Sequence, residues 1–285
     1  PAHLAGDALL KDIAECYNEA DDVDFGVWWL GQSGFLVKYQ GHQLLFDPYL
    51  SDSLTTKYAE TDKPHVRVSE LVVEPSKLTG IEVVTSSHNH TDHLDADTLI
   101  ALESANPEMT LVLPEANIGF ATDRLKNNPP DMAGLDDGKH IRLGAFRLTG
   151  VAAAHNEIET DEMGRCKFMG FVVDFGPWTI FHSGDTLWHP GLVETLVFHK
   201  PQLVLLPING NKPERRVAGN LNPQEAAALA KAANARMVIP CHYDMFAFNT
   251  ADPDDFVSAC AALGQPQSVL TGGERWDSEA LELWS

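Results

Sequence analysis

The chain has 285 residues, of which 44% are hydrophobic, and a net charge of 20 − 41 = −21. A chain of this length can bury roughly three quarters of its unfolded surface as one large domain, and so much negative charge repels polyanions, which argues against a nucleic-acid partner. The apolar runs fall far short of a membrane span, and the first residues lack a basic segment followed by an apolar one, so the expectation is a soluble protein with no membrane partner.

Residues 4–20 carry Leu9, Leu10, Ile13, Ala14 and Tyr17 at helical spacing, which predicts an amphipathic helix. Residues 1–24 therefore read as a helical extension ahead of a main domain over 25–285. From 25 to 46 the pattern turns strand-like, with Gly41-His42 as a hairpin turn. Residues 51–76 have little periodicity, hold Lys57, Lys63, His65 and Arg67, and read either as a functional lid or as a surface loop. Beyond them strands alternate with helices. Asp95 or Asp97 opens a helix running to 105, and Asn222-Pro223-Gln224-Glu225 supplies an N-cap, a first-turn proline and a glutamate three residues on. Asp252-Pro253 repeats that signal. Four scattered cysteines, Cys16, Cys166, Cys241 and Cys260, form no Cys-x-x-Cys pair. A disulfide framework or thiolate zinc site is therefore not expected, and a reducing cytoplasm is.

The densest chemistry is His88-Asn89-His90-Thr91-Asp92-His93, directly after the apolar stretch 81–85. At a strand end, His88 and His90 can point to one side while the following turn aims Asp92 and His93 at a second position. Two neighbouring cations are the natural reading of four such groups in six residues. Gln43-Leu44-Leu45-Phe46-Asp47-Pro48 is a short apolar strand ending in a carboxylate, and His155, Asp185 and Cys241-His242 each follow another strand-like run. An imidazole and carboxylate set without thiolate suits Zn²⁺, Mn²⁺ or Fe²⁺ and leaves room for water.

This His-x-His-x-Asp-His pattern with its downstream partners resembles the metallo-β-lactamase superfamily of metal-dependent hydrolases. The resemblance implies a four-layer αββα sandwich. It assigns His88, His90 and His155 to one metal and Asp92, His93 and His242 to a second, with Asp185 bridging, and it gives Asp92 and Asp185 the catalytic roles. Asp47 would support a ligand histidine, and His182 would stand behind the site. Histidine at position 90, where flavodiiron oxidoreductases carry glutamate, favours hydrolysis over redox chemistry. The flanks Val27-Trp28-Trp29-Leu30-Gly31-Gln32-Ser33-Gly34 and Val238-Ile239-Pro240-Cys241-His242-Tyr243-Asp244 look like the L-ascorbate-6-phosphate lactonases, although His155 stands where their pattern has aspartate.

The expected activity is therefore hydrolysis of a sugar-phosphate lactone, with two divalent ions, Mn²⁺ or Zn²⁺, as cofactors. A phosphodiesterase on a small or lipid phosphoester and a non-catalytic metal-binding protein of the same fold are the alternatives. The partner is a small anionic molecule, and a homo-oligomer stays open. Within Asn209-Gly210-Asn211-Lys212-Pro213-Glu214-Arg215-Arg216, the cations Lys212, Arg215 and Arg216 read either as a phosphate grip or as a solvated turn.

Overall fold

The computed structural model describes residues 1–126, 129–215 and 217–284. In chain order the elements are α1 (Gly6–Glu15), β1 (Gly26–Gly31), β2 (Gly34–Tyr39), β3 (His42–Phe46), α2 (Ser53–Tyr58), β4 (Ile81–Thr85), α3 (Ala96–Ala105), β5 (Thr110–Pro114), α4 (Ile118–Arg124) and β6 (Asp131–Leu135). There follow β7 (His140–Leu143), β8 (Phe146–Ala152), β9 (Met169–Phe175), β10 (Trp178–His182), α5 (Leu192–His199), β11 (Leu203–Pro207), α6 (Pro223–Ala232), β12 (Met237–Cys241), α7 (Pro253–Leu263) and β13 (Arg275–Asp277).

Among the described residues the strands form two mixed sheets, ordered β13-β1-β2-β3-β4-β5-β6 and β12-β11-β10-β9-β8-β7. In the first, β3 through β6 run parallel; in the second, β10, β11 and β12 do. Most of the strands are near-continuous apolar runs because both of their faces are covered. Along β1, for example, Val27 and Trp29 join the core shared with the second sheet, while Trp28 and Leu30 turn to the layer that holds Leu9 and Ile13 of α1 and Leu99 and Leu102 of α3. Helices α6 and α7 cover the outer face of the second sheet, with Ala226, Leu229, Phe256 and Cys260 buried. The αββα sandwich expected from the sequence is the architecture observed.

Local signals explain most element ends. Asn222 and Glu225 form a reciprocal capping box at the start of α6, and Asp95 caps α3 by accepting from Thr98 N. Two expectations shift. Helix α1 ends at Glu15, short of residue 20, because the chain turns at Tyr17 with a φ of 51°. Residues 51–76 contain the short helix α2 and a 3₁₀ turn at Pro75–Lys77.

Helix α1 is bound into the main core by buried polar contacts as well as by Leu9 and Ile13. Trp28 Nε1 donates to Asp12 Oδ2 at 2.8 Å, and the 3%-exposed Lys38 sends its Nζ to Ile13 O and Asn18 Oδ1, each at 2.7 Å. Burial lowers the Lys38 pKa, and Nζ lies beside the last turn of α1, where carbonyls concentrate negative charge. Replacing Lys38 with Met leaves Ile13 O without this partner, a loss of about 1–3 kcal/mol. We expect faster hydrogen exchange in α1, by roughly one to two orders of magnitude, with smaller changes in β10 and β11; equal changes throughout would show that the contact does not act locally.

Candidate metal centre

Parallel strands end on a common edge, and the loops beyond that edge are where open α/β sheets place their sites. The ends of β3, β4, β10 and β12 deliver Asp47, His88 with its following turn, Asp185 and His242, and the loop after β8 adds His155. The ligand-capable atoms fall into three overlapping groups whose members lie within 4.8 Å of one another: His88, His90 and His155; His88, His93 and Asp185; and Asp92, His93 and His242.

Asp185 is central. Its Oδ2 lies 3.3 Å from His93 Nε2, 3.4 Å from His242 Nε2 and 3.6 Å from His155 Nε2, so one carboxylate oxygen faces imidazoles from both sets assigned by sequence. Asp92 Oδ2 lies 3.6 Å from both His93 Nε2 and His242 Nε2. Ligands around a tetrahedral cation with bonds of about 2.0–2.1 Å stand roughly 3.3–3.4 Å apart, so these separations suit metal coordination. Orphaned atoms point the same way. His88 Nε2, His93 Nε2 and Asp185 Oδ1 are buried without a hydrogen-bond partner, a costly arrangement unless a cation completes it.

Hydrogen bonds behind the cluster aim these nitrogens. Asp47, with none of its side chain exposed, places Oδ2 2.7 Å from His93 Nδ1, and its Oδ1 accepts from Thr85 Oγ1 at 2.7 Å and from Ser87 N at 3.1 Å. Ser87 Oγ lies 2.9 Å from His88 Nδ1, and His155 Nδ1 lies 2.7 Å from Gly219 O. Each contact occupies Nδ1 and leaves Nε2 for the site, the arrangement by which a carboxylate or carbonyl fixes the tautomer of a metal-binding histidine. Arg124 holds the loop from outside by donating to Asn89 O at 2.8 Å and Leu94 O at 3.0 Å, on either side of His90 to His93.

The electrostatics of the cluster follow from its burial and its charges. Burial lowers His88 and His155 and brings His90 down to about 4, which keeps these imidazoles neutral and able to bind a cation at pH 7. Burial opposes the charge on Asp185, yet the His93 and His242 rings beside it hold the carboxyl well below the usual range. Burial likewise opposes charge on His93, but Asp185 and Asp92 raise it well above an ordinary histidine.

A cavity of about 550 Å³ opens over this floor. Its walls carry Lys57, Lys63, His65 and Arg124 among Tyr58, Phe120, Phe246 and Phe248. Part of the 51–76 segment therefore faces the site. Thr91 Oγ1, one residue from both His90 and Asp92, accepts from Lys57 Nζ at 3.2 Å.

The chain's match to the family model described as "Beta-lactamase superfamily domain" spans residues 26–242, from β1 to the last histidine of the cluster. The chain belongs to the β-lactamase superfamily. Relatives named "UPF0173 metal-dependent hydrolase" match along nearly their whole length: one from Azorhizobium caulinodans is 26% identical over 261 residues, covering 88% of this chain and 99% of its own. One from Archaeoglobus fulgidus is 26% identical over 262 residues, covering 88% and 98%. Among solved structures, an isothiocyanate hydrolase from Delia radicum gut bacteria superposes with a TM-score of 0.71 at 18% identity, over 88% of this chain and 98% of that one. A metallo hydrolase from Ignicoccus hospitalis gives 0.66 at 19% identity, over 90% and 98%. These two likenesses speak for the superfamily fold alone.

Some sequence expectations meet a different arrangement. Arg215 does not reach the cavity, because its guanidinium donates to Asn209 O, to Asn249 Oδ1 at 3.1 Å and to Thr250 O at 2.8 Å, tying two loops together. Lys212 is exposed and outside the cavity lining, and Arg216 lies outside the described residues. His182 stacks on the Phe46 ring, and its hydrogen bonds go to backbone. Its Nε2 lies 2.8 Å from Ser33 O and its Nδ1 accepts from Gly184 N at 3.1 Å, so it braces the turn before Asp185. Cys241 is buried, with burial raising its thiol pKa well above the ordinary value. The sequence reading gave no role to Gln32, Ser87, Arg124 or Gly219; for Lys57 the legible signal was a cation in a strongly acidic chain.

Asp47→Asn keeps the size of the side chain but cannot hold His93 Nδ1–H and Ser87 N with a full charge. Metal affinity should fall roughly ten- to a hundredfold, the usual effect of losing a group that orients a ligand. Metal retained after dialysis against a graded chelator measures this, and wild-type retention would reduce Asp47 to a turn former.

Proposed function

We propose that this metal-dependent hydrolase opens the ring of a small lactone that carries a phosphate, a sugar-phosphate lactone of the L-ascorbate 6-phosphate type. The observation that carries the reading is the juxtaposition of two features: a carboxylate-centred histidine cluster on the cavity floor and cations on its wall, in a chain whose net charge is −21. A cavity of about 550 Å³ suits a small molecule. The flanking segments that look like the lactonases support the ring-opening chemistry.

His88, His90 and His155 would hold one divalent ion and Asp92, His93 and His242 a second, with Asp185 as a further ligand. When bound, such ions would lower the pKa of a water and polarise the carbonyl under attack. The chain's own residues then orient and exclude. Phe120, Phe246 and Phe248 limit access of bulk water to the floor, and Lys57 and Lys63 bind the phosphate away from the reacting carbon. Asp92, 16% exposed, is a cluster carboxylate open to the cavity; it takes the proton lost by the attacking water and returns it to the ring oxygen as the carbon–oxygen bond breaks. Manganese and zinc both suit this donor set. Among the described residues no helix is long and apolar enough to cross a membrane.

The test compares a phosphorylated lactone, the same lactone without phosphate, and a generic phosphodiester, with Asp185→Asn as the inactive control. Lys57→Ala should raise KM for the phosphorylated lactone roughly tenfold and spare the unphosphorylated one, since it removes one charge-assisted contact to the anion. Equal effects on both lactones would overturn the phosphate grip. Turnover of the phosphodiester but of neither lactone would replace the lactonase reading with a phosphodiesterase, and turnover of none would leave a binding protein.

A further inference from the structure

Gln32 stands in the turn between β1 and β2, and its backbone locks it to the site. The residue has a φ of 50°, its carbonyl accepts from His242 N and from Trp29 Nε1, each at 3.0 Å, and it is only 4% exposed. Its side chain therefore has little freedom. The carboxamide ends 2.9 Å from Asp92 Oδ2 and 3.2 Å from His242 Nε2.

A carboxamide offers nitrogen on one side and oxygen on the other, and a half-turn about its last torsion exchanges them at no steric cost. With nitrogen inward, Gln32 donates to Asp92 but presents another N–H to His242 Nε2, the atom that faces Asp92 and Asp185. With oxygen inward, it adds a neutral oxygen beside a carboxylate oxygen and an imidazole nitrogen. Adjacent ligands in an octahedral shell with bonds of about 2.1 Å stand roughly 3.0 Å apart, and in a tetrahedral shell roughly 3.4 Å. The separations of 2.9 and 3.2 Å are the edges of such a shell.

We propose that Gln32 Oε1 is a further ligand of the cation held by Asp92, His93 and His242, turned inward when that cation binds. The assignment rests on the two-ion reading of the centre and not on the lactone. An additional neutral oxygen raises the coordination number that the protein itself supplies, which favours Mn²⁺ over tetrahedral Zn²⁺ at this position. The backbone bond from His242 N to Gln32 O makes this donor part of the same rigid edge as the histidine it accompanies.

The experiment strips the full chain with a chelator and titrates it with Mn²⁺ or Zn²⁺ alone, reading ions per chain and the affinity of each ion by calorimetry. Gln32→Leu should weaken one of the two ions tenfold or more, with a larger loss for Mn²⁺ than for Zn²⁺, and leave the other unchanged. Gln32→Glu should hold or tighten that same ion, because a carboxylate is a stronger ligand at the same reach. If Gln32 instead serves only as a hydrogen-bond donor to Asp92, the glutamate variant sets two carboxylates against each other and weakens the ion as leucine does; that outcome overturns the assignment. Wild-type affinity in Gln32→Leu overturns it as well. A wild-type chain that takes up a single ion overturns the two-ion reading together with it, whatever substrate the enzyme turns over.

Discussion

The site depends on one buried carboxylate. Asp47 sits at the end of β3 with no exposure, and its two oxygens reach Thr85 at the end of β4, the Ser87 amide and the His93 ring. A charge this deep survives only if donors surround it. Burial opposes its ionisation, yet the bond from His93 keeps the carboxyl below its ordinary range. In satisfying itself, Asp47 fixes the register between two neighbouring strands, the course of the chain into His88 and the tautomer of His93. The ligand-bearing turn is thus shaped from behind by the hydrogen-bonding needs of a residue that does not face the cavity.

The same logic extends outward. Ser87 and Gly219 orient His88 and His155, and Arg124 grips the carbonyls of Asn89 and Leu94 on either side of the turn. Ser87 and Gly219 leave the Nε2 atoms of His88 and His155 for the floor, where Asp185 Oδ2 lies 3.3 Å, 3.4 Å and 3.6 Å from the Nε2 atoms of His93, His242 and His155. Such a floor is an unfavourable assembly of buried lone pairs until cations neutralise it. Above it the character reverses. Lys57, Lys63 and Arg124 give the cavity a local positive wall inside a molecule of net charge −21, so anion binding here is a matter of placement and not of the overall field.

How much of this was legible in the sequence follows from how local each signal is. His88 to His93 declared themselves because four donors fall within six residues, and Asp185 and His242 because each ends an apolar strand. The sandwich was legible through the superfamily resemblance, and the helix starts at Asp95, Asn222 and Asp252 through their caps. Side-chain direction was not. Arg215 lies in a dense cationic run, yet the carbonyls of Asn209 and Thr250 capture its guanidinium, a competition that no local pattern reveals. Lys57 and Gln32 reach the site only because α2 and the turn between β1 and β2 close on it in three dimensions. Helix α1 is overrun by its own periodicity: Tyr17 keeps the apolar spacing but sits at positive φ, so the pattern continues after the helix has ended.

The most direct measurement is a crystal structure of the Mn²⁺-reconstituted chain with anomalous difference maps. The account predicts two peaks about 3.5–4 Å apart, the usual spacing of a two-metal site, with Asp185 between them, one beside His88, His90 and His155 and the other beside Asp92, His93 and His242. A single peak, or a pair that Asp185 does not touch, would contradict it.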